Sequence, residues 1–122
     1  MNEIFENIID SCIKFDKNKF FVSEVKKKDA PNYYDVIMNP IDLGKMKNKA
    51  KRQEYINREQ LMADMQLLRV NAETYNGQFN KIAELAREIE QHAINKMDEV
   101  KDDVANYELL VREKIDQGLL KI

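Results

Sequence analysis

A single cysteine, Cys12, excludes an internal disulfide and suits a reducing intracellular compartment. With only three glycines and two prolines there is little material for tight turns, which argues for long helices. No stretch approaches the roughly 18 consecutive apolar residues of a membrane span, and the first residues lack the apolar core of a secretory signal. A net charge of −2 gives no global pull toward nucleic acid. HExxH, CxxC, glycine-rich phosphate loops and calcium loops are all missing. The one histidine, His92, falls mid-helix among Glu88, Glu90 and Gln91, where an exposed, solvated ring is expected. The chain therefore offers no catalytic residue, no metal site and no cofactor site, and is expected not to be an enzyme.

What is present is a globular composition, 43% hydrophobic and 34% charged, in a chain long enough to bury a core without staples. Residues 2–17 carry Ile4, Phe5, Ile8, Ile9, Cys12 and Ile13 on one stripe of a 3.6-residue period. Cys12 lies in that stripe and reads as a small buried hydrophobe rather than a nucleophile. The helix is expected to fail around Asp16 to Asn18.

From Lys19 to about Asn57 the periodicity breaks up, and both Pro31 and Pro40 fall in this segment. Each pushes the residue before it out of helical geometry. A connection this long and this rich in aromatics is expected to be packed by its own side chains. It leaves room for a short helix at 33–37 and a second from Leu43 to Arg52, capped by Asp42, with Leu43, Met46 and Ala50 facing inward. Its charges are locally positive, nine Lys or Arg against five Asp or Glu over residues 23–58. Nothing in the way of a stacking platform accompanies them, so nucleic acid is at most a weak surface contact.

Leu61, Met65, Leu68, Ala72 and Tyr75 then step by four, three, four and three, behind Asn57 and Gln60 at capping-box spacing. Gly77 is placed for a left-handed helix cap. A last stripe runs from Ile82 through Leu85, Ala86, Ile89, Ala93, Met97, Val100, Val104, Tyr107 and Val111, unbroken before Gly118. A helix that long would reach roughly 50 Å. Its end either packs on the first helix or pairs with another molecule through a heptad-like seam. The fold class is all-α, a four-helix bundle with a long connection between the first and second helices and an extended C-terminal helix. One domain covers 1–122, with a core of about 2–104 and an extension at 105–122.

Two motifs then meet. Ala30-Pro31-Asn32-Tyr33-Tyr34-Asp35-Val36-Ile37-Met38-Asn39-Pro40-Ile41-Asp42-Leu43 resembles the signature of bromodomains, the acetyl-lysine readers, and Asn71 through Asn76 resembles the matching end of the family's helix B, the third main helix here. The similarity spans residues 19 to about 98 and implies a left-handed four-helix bundle. It also implies roles. Asn76 would hydrogen-bond the acetyl carbonyl, and Tyr33 would hold a water bridging to the same oxygen. Phe21 and Val25 would form an apolar wall, Tyr75 would line the pocket, and Ile82 would stand at its mouth. The chain departs from the family in having Lys19-Phe20-Phe21 where Trp-Pro-Phe is common, Glu24 in place of a proline, and no proline after Asn76.

The chemistry suits these roles. Acetylation turns a lysine tip into a neutral amide, which a dry pocket accepts when an asparagine N–H meets its carbonyl. The resemblance implies a nuclear, non-catalytic module of a larger chromatin-associated protein, with acetylated histone tails or other acetylated peptides as partners and no membrane. The alternative from another class is a structural interaction bundle with a degenerate pocket, using the long C-terminal helix as its working surface.

Overall fold

Ile8, Ile9 and Cys12 lose nearly all contact with solvent along one face of α1 (Glu3–Phe15), the stripe that the sequence spacing sets. The computed structural model describes residues 2–119. After α1 come a single turn, α2 (Tyr33–Val36), then α3 (Leu43–Lys51), α4 (Arg58–Asn76), α5 (Lys81–Glu99) and α6 (Lys101–Asp116). Among the described residues there is no strand. α1 packs on α3 and α5, α4 packs on α5, and α2 touches α4 inside the long connection. The result is the expected all-α four-helix bundle. None of the described helices is long and apolar enough to cross a membrane.

The caps follow their side chains. Asp42 accepts from the Lys45 N–H at 2.7 Å and starts α3, whose Leu43, Met46 and Ala50 are fully buried. Asn57 accepts from the Gln60 N–H at 3.0 Å and starts α4. Gln60 returns a bond to the Ile56 N–H rather than to Asn57, so the box closes one residue earlier than expected. Gly77 has φ 86° and ψ 152°. The positive φ fits the glycine, but the extended ψ differs from a left-handed cap and belongs to a region essentially open to glycine alone.

The last stripe is not one helix. Val100, at φ −114° and ψ 17°, interrupts it, and its N–H bonds to Met97 O in a tight final turn. Periodicity could not show this, because Val104 resumes the stripe four residues later. Past this interruption α6 packs onto the chain. Val104 and Val111 are buried, and the Tyr107 ring meets Phe5 edge-on at 5.9 Å. The buried Asn2 amide donates to the Tyr107 hydroxyl at 2.8 Å and to Tyr55 O at 3.1 Å, so one side chain ties three segments together. Arg58 and Glu108 add an ion pair at 3.1 Å between α4 and α6.

Candidate functional site

The end of α4 forms the floor of a cavity of about 580 Å³ at one end of the bundle. Leu61, Met65, Leu68 and Ala72 commit one face of α4 to the core, which leaves Tyr75 and Asn76 at its open end. The Asn76 Nδ2 donates to Ala72 O at 3.1 Å, one turn back. An amide nitrogen carries two hydrogens, so this bond leaves one N–H uncommitted on a residue that lines the cavity.

The wall comes from the start of the long connection. Asp16, fully buried just past α1, accepts from the backbone N–H of Phe20 at 3.1 Å and of Phe21 at 2.7 Å. Phe21 O in turn accepts from Leu43 N–H at 2.7 Å, and Val22 O from Gly44 N–H at 3.0 Å. This last approach needs glycine, because a Cβ on Gly44 would stand 2.6 Å from Val22 O. The Tyr34 hydroxyl donates to Val25 O and fixes the far end of the wall.

Tyr33 opens α2, with its ring 5.0 Å from Tyr75 and 5.3 Å from Tyr34 in edge-on contacts. Tyr75 donates to Pro31 O at 2.8 Å, and Asn71 donates to Asn39 O at 2.9 Å, so α4 holds both ends of the second half of the connection. Burial, then the neighbouring Tyr34, Asp42 and Tyr75, push the Tyr33 hydroxyl above its ordinary pKa, which keeps it a neutral donor. Among the described residues nothing takes that donor. Ile82 reaches the cavity from the first turn of α5, where the Asn80 side chain caps its N–H at 2.7 Å.

All six residues expected at one site, Asn76, Tyr33, Val25, Phe21, Tyr75 and Ile82, line this one cavity. Phe20, Ile41, Leu68 and Ala72 add apolar surface, while the charged Lys19, Glu24, Lys26 and Asp29 stand exposed around it. Sequence reasoning missed Asp16 and Gly44, which do not touch a ligand position but hold the wall. The only hint of Asp16 was a helix end followed by two phenylalanines.

Elsewhere the lone histidine and the lone cysteine are taken up by packing. His92 is not solvated as expected. Its Nε2 lies 2.7 Å from Ser11 Oγ, and its ring stacks on Phe15 at 4.9 Å, in the seam between α1 and α5. Burial, with Lys96 assisting, lowers its pKa. Burial also pushes the Cys12 thiol up to about 12, so it is an inert core group. The basic run on α3 is largely neutralised within the chain, by Asp42 to Lys45, Asp10 to Lys47, Asp64 to Lys49 and Glu54 to Arg52. Among the described residues no three His, Cys, Asp or Glu gather into a possible metal site.

The sequence profile of the family described as Bromodomain matches residues 5–88. Over 108 residues, 86% of the chain, the sequence is 33% identical to Transcription initiation factor TFIID subunit 1b of Arabidopsis thaliana. It is 38% identical over 76 residues, 62% of the chain, to TFIID subunit 1 of Oryza sativa subsp. japonica. The chain spans only 6% and 4% of those two proteins. Its fold is similar to that of the human BAZ1A bromodomain, with a TM-score of 0.73 and 23% identity over 80% of this chain and 95% of that one. CpBRD2 from cryptosporidium is similar too, with a TM-score of 0.75 and 23% identity over 80% of this chain and 92% of that one. With the profile covering most of the described bundle and the same helices enclosing the cavity, this chain belongs to the bromodomain family of acetyl-lysine reader modules.

Proposed function

We propose that the cavity on α4 binds the side chain of acetylated lysine, presented by histone tails, and that the domain targets a larger nuclear, chromatin-associated protein to such marks. The observation that carries this reading is the convergence of Asn76, Tyr33, Val25, Phe21, Tyr75 and Ile82 on one cavity. The free N–H of Asn76 is the direct donor to the acetyl carbonyl, and the Tyr33 hydroxyl holds a water that bridges to the same oxygen. Phe21, Val25 and Ile82 take the methyl group and the aliphatic stem.

Discrimination comes from refusing charge. Asp42 is spoken for by the Lys45 N–H and Nζ, and Glu24 and Asp29 stand in solvent. An ammonium brought to Asn76 would lose its hydration without gaining a buried counter-ion, at a cost on the order of several kcal/mol. One short side chain buries little surface, so affinities of tens of micromolar or looser are expected. The relatives' names, TFIID subunit 1 and 1b, support a place in transcription.

The rival reading is an interaction bundle working through its last helix. The seam of Val104, Tyr107 and Val111 is used inside the chain. An acetylated-histone peptide array run beside Asn76→Ala tests the proposal. The variant should keep its helicity and lose on the order of 1–3 kcal/mol of binding. Equal binding by parent and variant would remove Asn76 from the site.

A further inference from the structure

Most cations of this chain meet a carboxylate. Every arginine does so, and so do Lys45, Lys47 and Lys49 in the basic run of α3. A second group of lysines differs. Lys14, Lys17, Lys19, Lys26, Lys27 and Lys28 are all exposed, and among the described residues none pairs with a carboxylate. Within residues 14–29 only Asp16, Glu24 and Asp29 oppose these six, a net +3 in a chain whose total is −2. Asp16 is moreover buried and given over to the Phe20 and Phe21 amides.

Part of the group has an ordinary role. Lys14 stands in the last turn of α1, and Lys19 Nζ donates to Ile13 O at 3.2 Å, both suited to the negative end of a helix dipole. Lys26, Lys27 and Lys28 lie outside any helix and have no such role. The backbone fixes both halves. Lys19 N–H bonds to Asp16 O at 3.0 Å with Lys19 at φ 58°, a left-handed conformation that lysine seldom takes. Lys26 O accepts from the Asp29 and Ala30 N–H groups at 3.0 and 3.1 Å, which closes a turn on the lysine run. Lys19 and Lys26 both line the cavity, so the two halves flank one opening.

A surface of unpaired lysines suits an anionic partner. A basic histone tail seated in the cavity cannot be that partner, because like charges repel. The DNA wrapped on the histones that carry such tails can be, since a duplex presents one phosphate charge per about 1.7 Å of its axis. Flexible point charges without free arginine forks suit phosphates rather than base edges. We infer that these six lysines form a patch beside the cavity that rests on the phosphate backbone of duplex DNA without reading its sequence. The inference rests on the acetyl-lysine reading for its source of DNA, because a tail anchored at Asn76 brings the DNA beside it to this side of the bundle.

The test titrates a fluorescent duplex of mixed sequence, about two helical turns long, with the whole 122-residue chain and follows anisotropy at increasing sodium chloride. Parent protein should bind with a dissociation constant of about 10⁻⁴–10⁻⁶ M, and log K should fall against log salt with a slope of roughly −3 to −5. Lys26→Glu, Lys27→Glu and Lys28→Glu combined should weaken binding at low salt about tenfold or more and flatten the slope by about 2–3. Lys51→Glu, Lys101→Glu and Lys114→Glu combined make the same change of charge elsewhere on the surface, and should weaken it about twofold at most. Equal losses in the two triple variants, or no binding by the parent at low salt, overturn the inference. Tighter binding of labelled polyglutamate than of the duplex would assign the patch to an acidic protein and overturn it too. An acetylated histone-tail peptide titrated in parallel separates the two claims: its failure to bind, with duplex binding intact, overturns the cavity reading alone.

Discussion

Replacing Asp16 with alanine tests how the wall of the cavity is held. The carboxylate is fully buried and accepts two backbone N–H groups, from Phe20 at 3.1 Å and Phe21 at 2.7 Å. An N–H left without its acceptor costs about 1–3 kcal/mol where water cannot replace it. Phe20 is half-exposed and its amide can be rehydrated in part, while Phe21 is pinned from the other side by Leu43. Truncation should therefore cost about 2–4 kcal/mol in all, a large fraction of the roughly 5–15 kcal/mol that a domain possesses. Asp16→Asn keeps the shape and one acceptor oxygen, and should cost about half as much. Urea unfolding reads both variants, as a lower midpoint at unchanged slope. Under conditions where Asp16→Ala is still folded, its affinity for an acetylated peptide should also drop severalfold, because Phe21 is no longer fixed. An Asp16→Ala midpoint within about 0.5 kcal/mol of the parent would refute the claim that these two bonds hold the wall.

Two further perturbations follow the same logic. Gly44→Ala should destabilise by about 1–3 kcal/mol, since the new Cβ would sit 2.6 Å from a backbone carbonyl that cannot move aside cheaply; thermal unfolding measures it, and an unchanged melting temperature contradicts it. Stability should fall on acidification in two steps. His92, lowered from 6.5 by burial and Lys96, is bound to a proton more readily in the unfolded chain, so its cost appears as pH drops below 6.5. Burial alone would raise the Glu108 carboxyl, but hydrogen bonds from the Arg58 side chain and backbone outweigh it and hold it below 4.5. Its contribution is present above 4.5 and is lost as pH falls through the lower folded value. His92→Gln should remove the upper step alone, and a urea midpoint flat between pH 7 and 4 would contradict the assignment.

The helices were legible where burial is periodic. Leu61 to Ala72 and Leu43 to Ala50 pack as their spacing requires, because a helix face repeats every three or four residues whatever its surroundings. Tyr33, Tyr75 and Asn76 were legible because two motifs, far apart in sequence, specify complementary pieces of one cavity, and Phe21, Val25 and Ile82 followed only from the wider resemblance over residues 19 to about 98. Whatever depends on a single side chain meeting a distant backbone was not. Asn2 and Asp16 are ordinary polar residues in the sequence, and only the fold reveals which amides they satisfy. His92 read as solvated because nothing in α5 announces the approach of Ser11 and Phe15 from α1. The break at Val100 was hidden by a stripe that continues through it. An interruption that keeps the register leaves the stripe unchanged.

The most direct measurement is a 15N–1H titration that follows the Asn76 side-chain amide as a peptide is added in acetylated and unmodified form. The account predicts that the acetylated peptide shifts that amide together with the backbone signals of Phe21, Val25 and Ile82, and that the unmodified peptide leaves them in place. Equal shifts with both peptides, or shifts confined to α6 while Asn76 stays still, would contradict it.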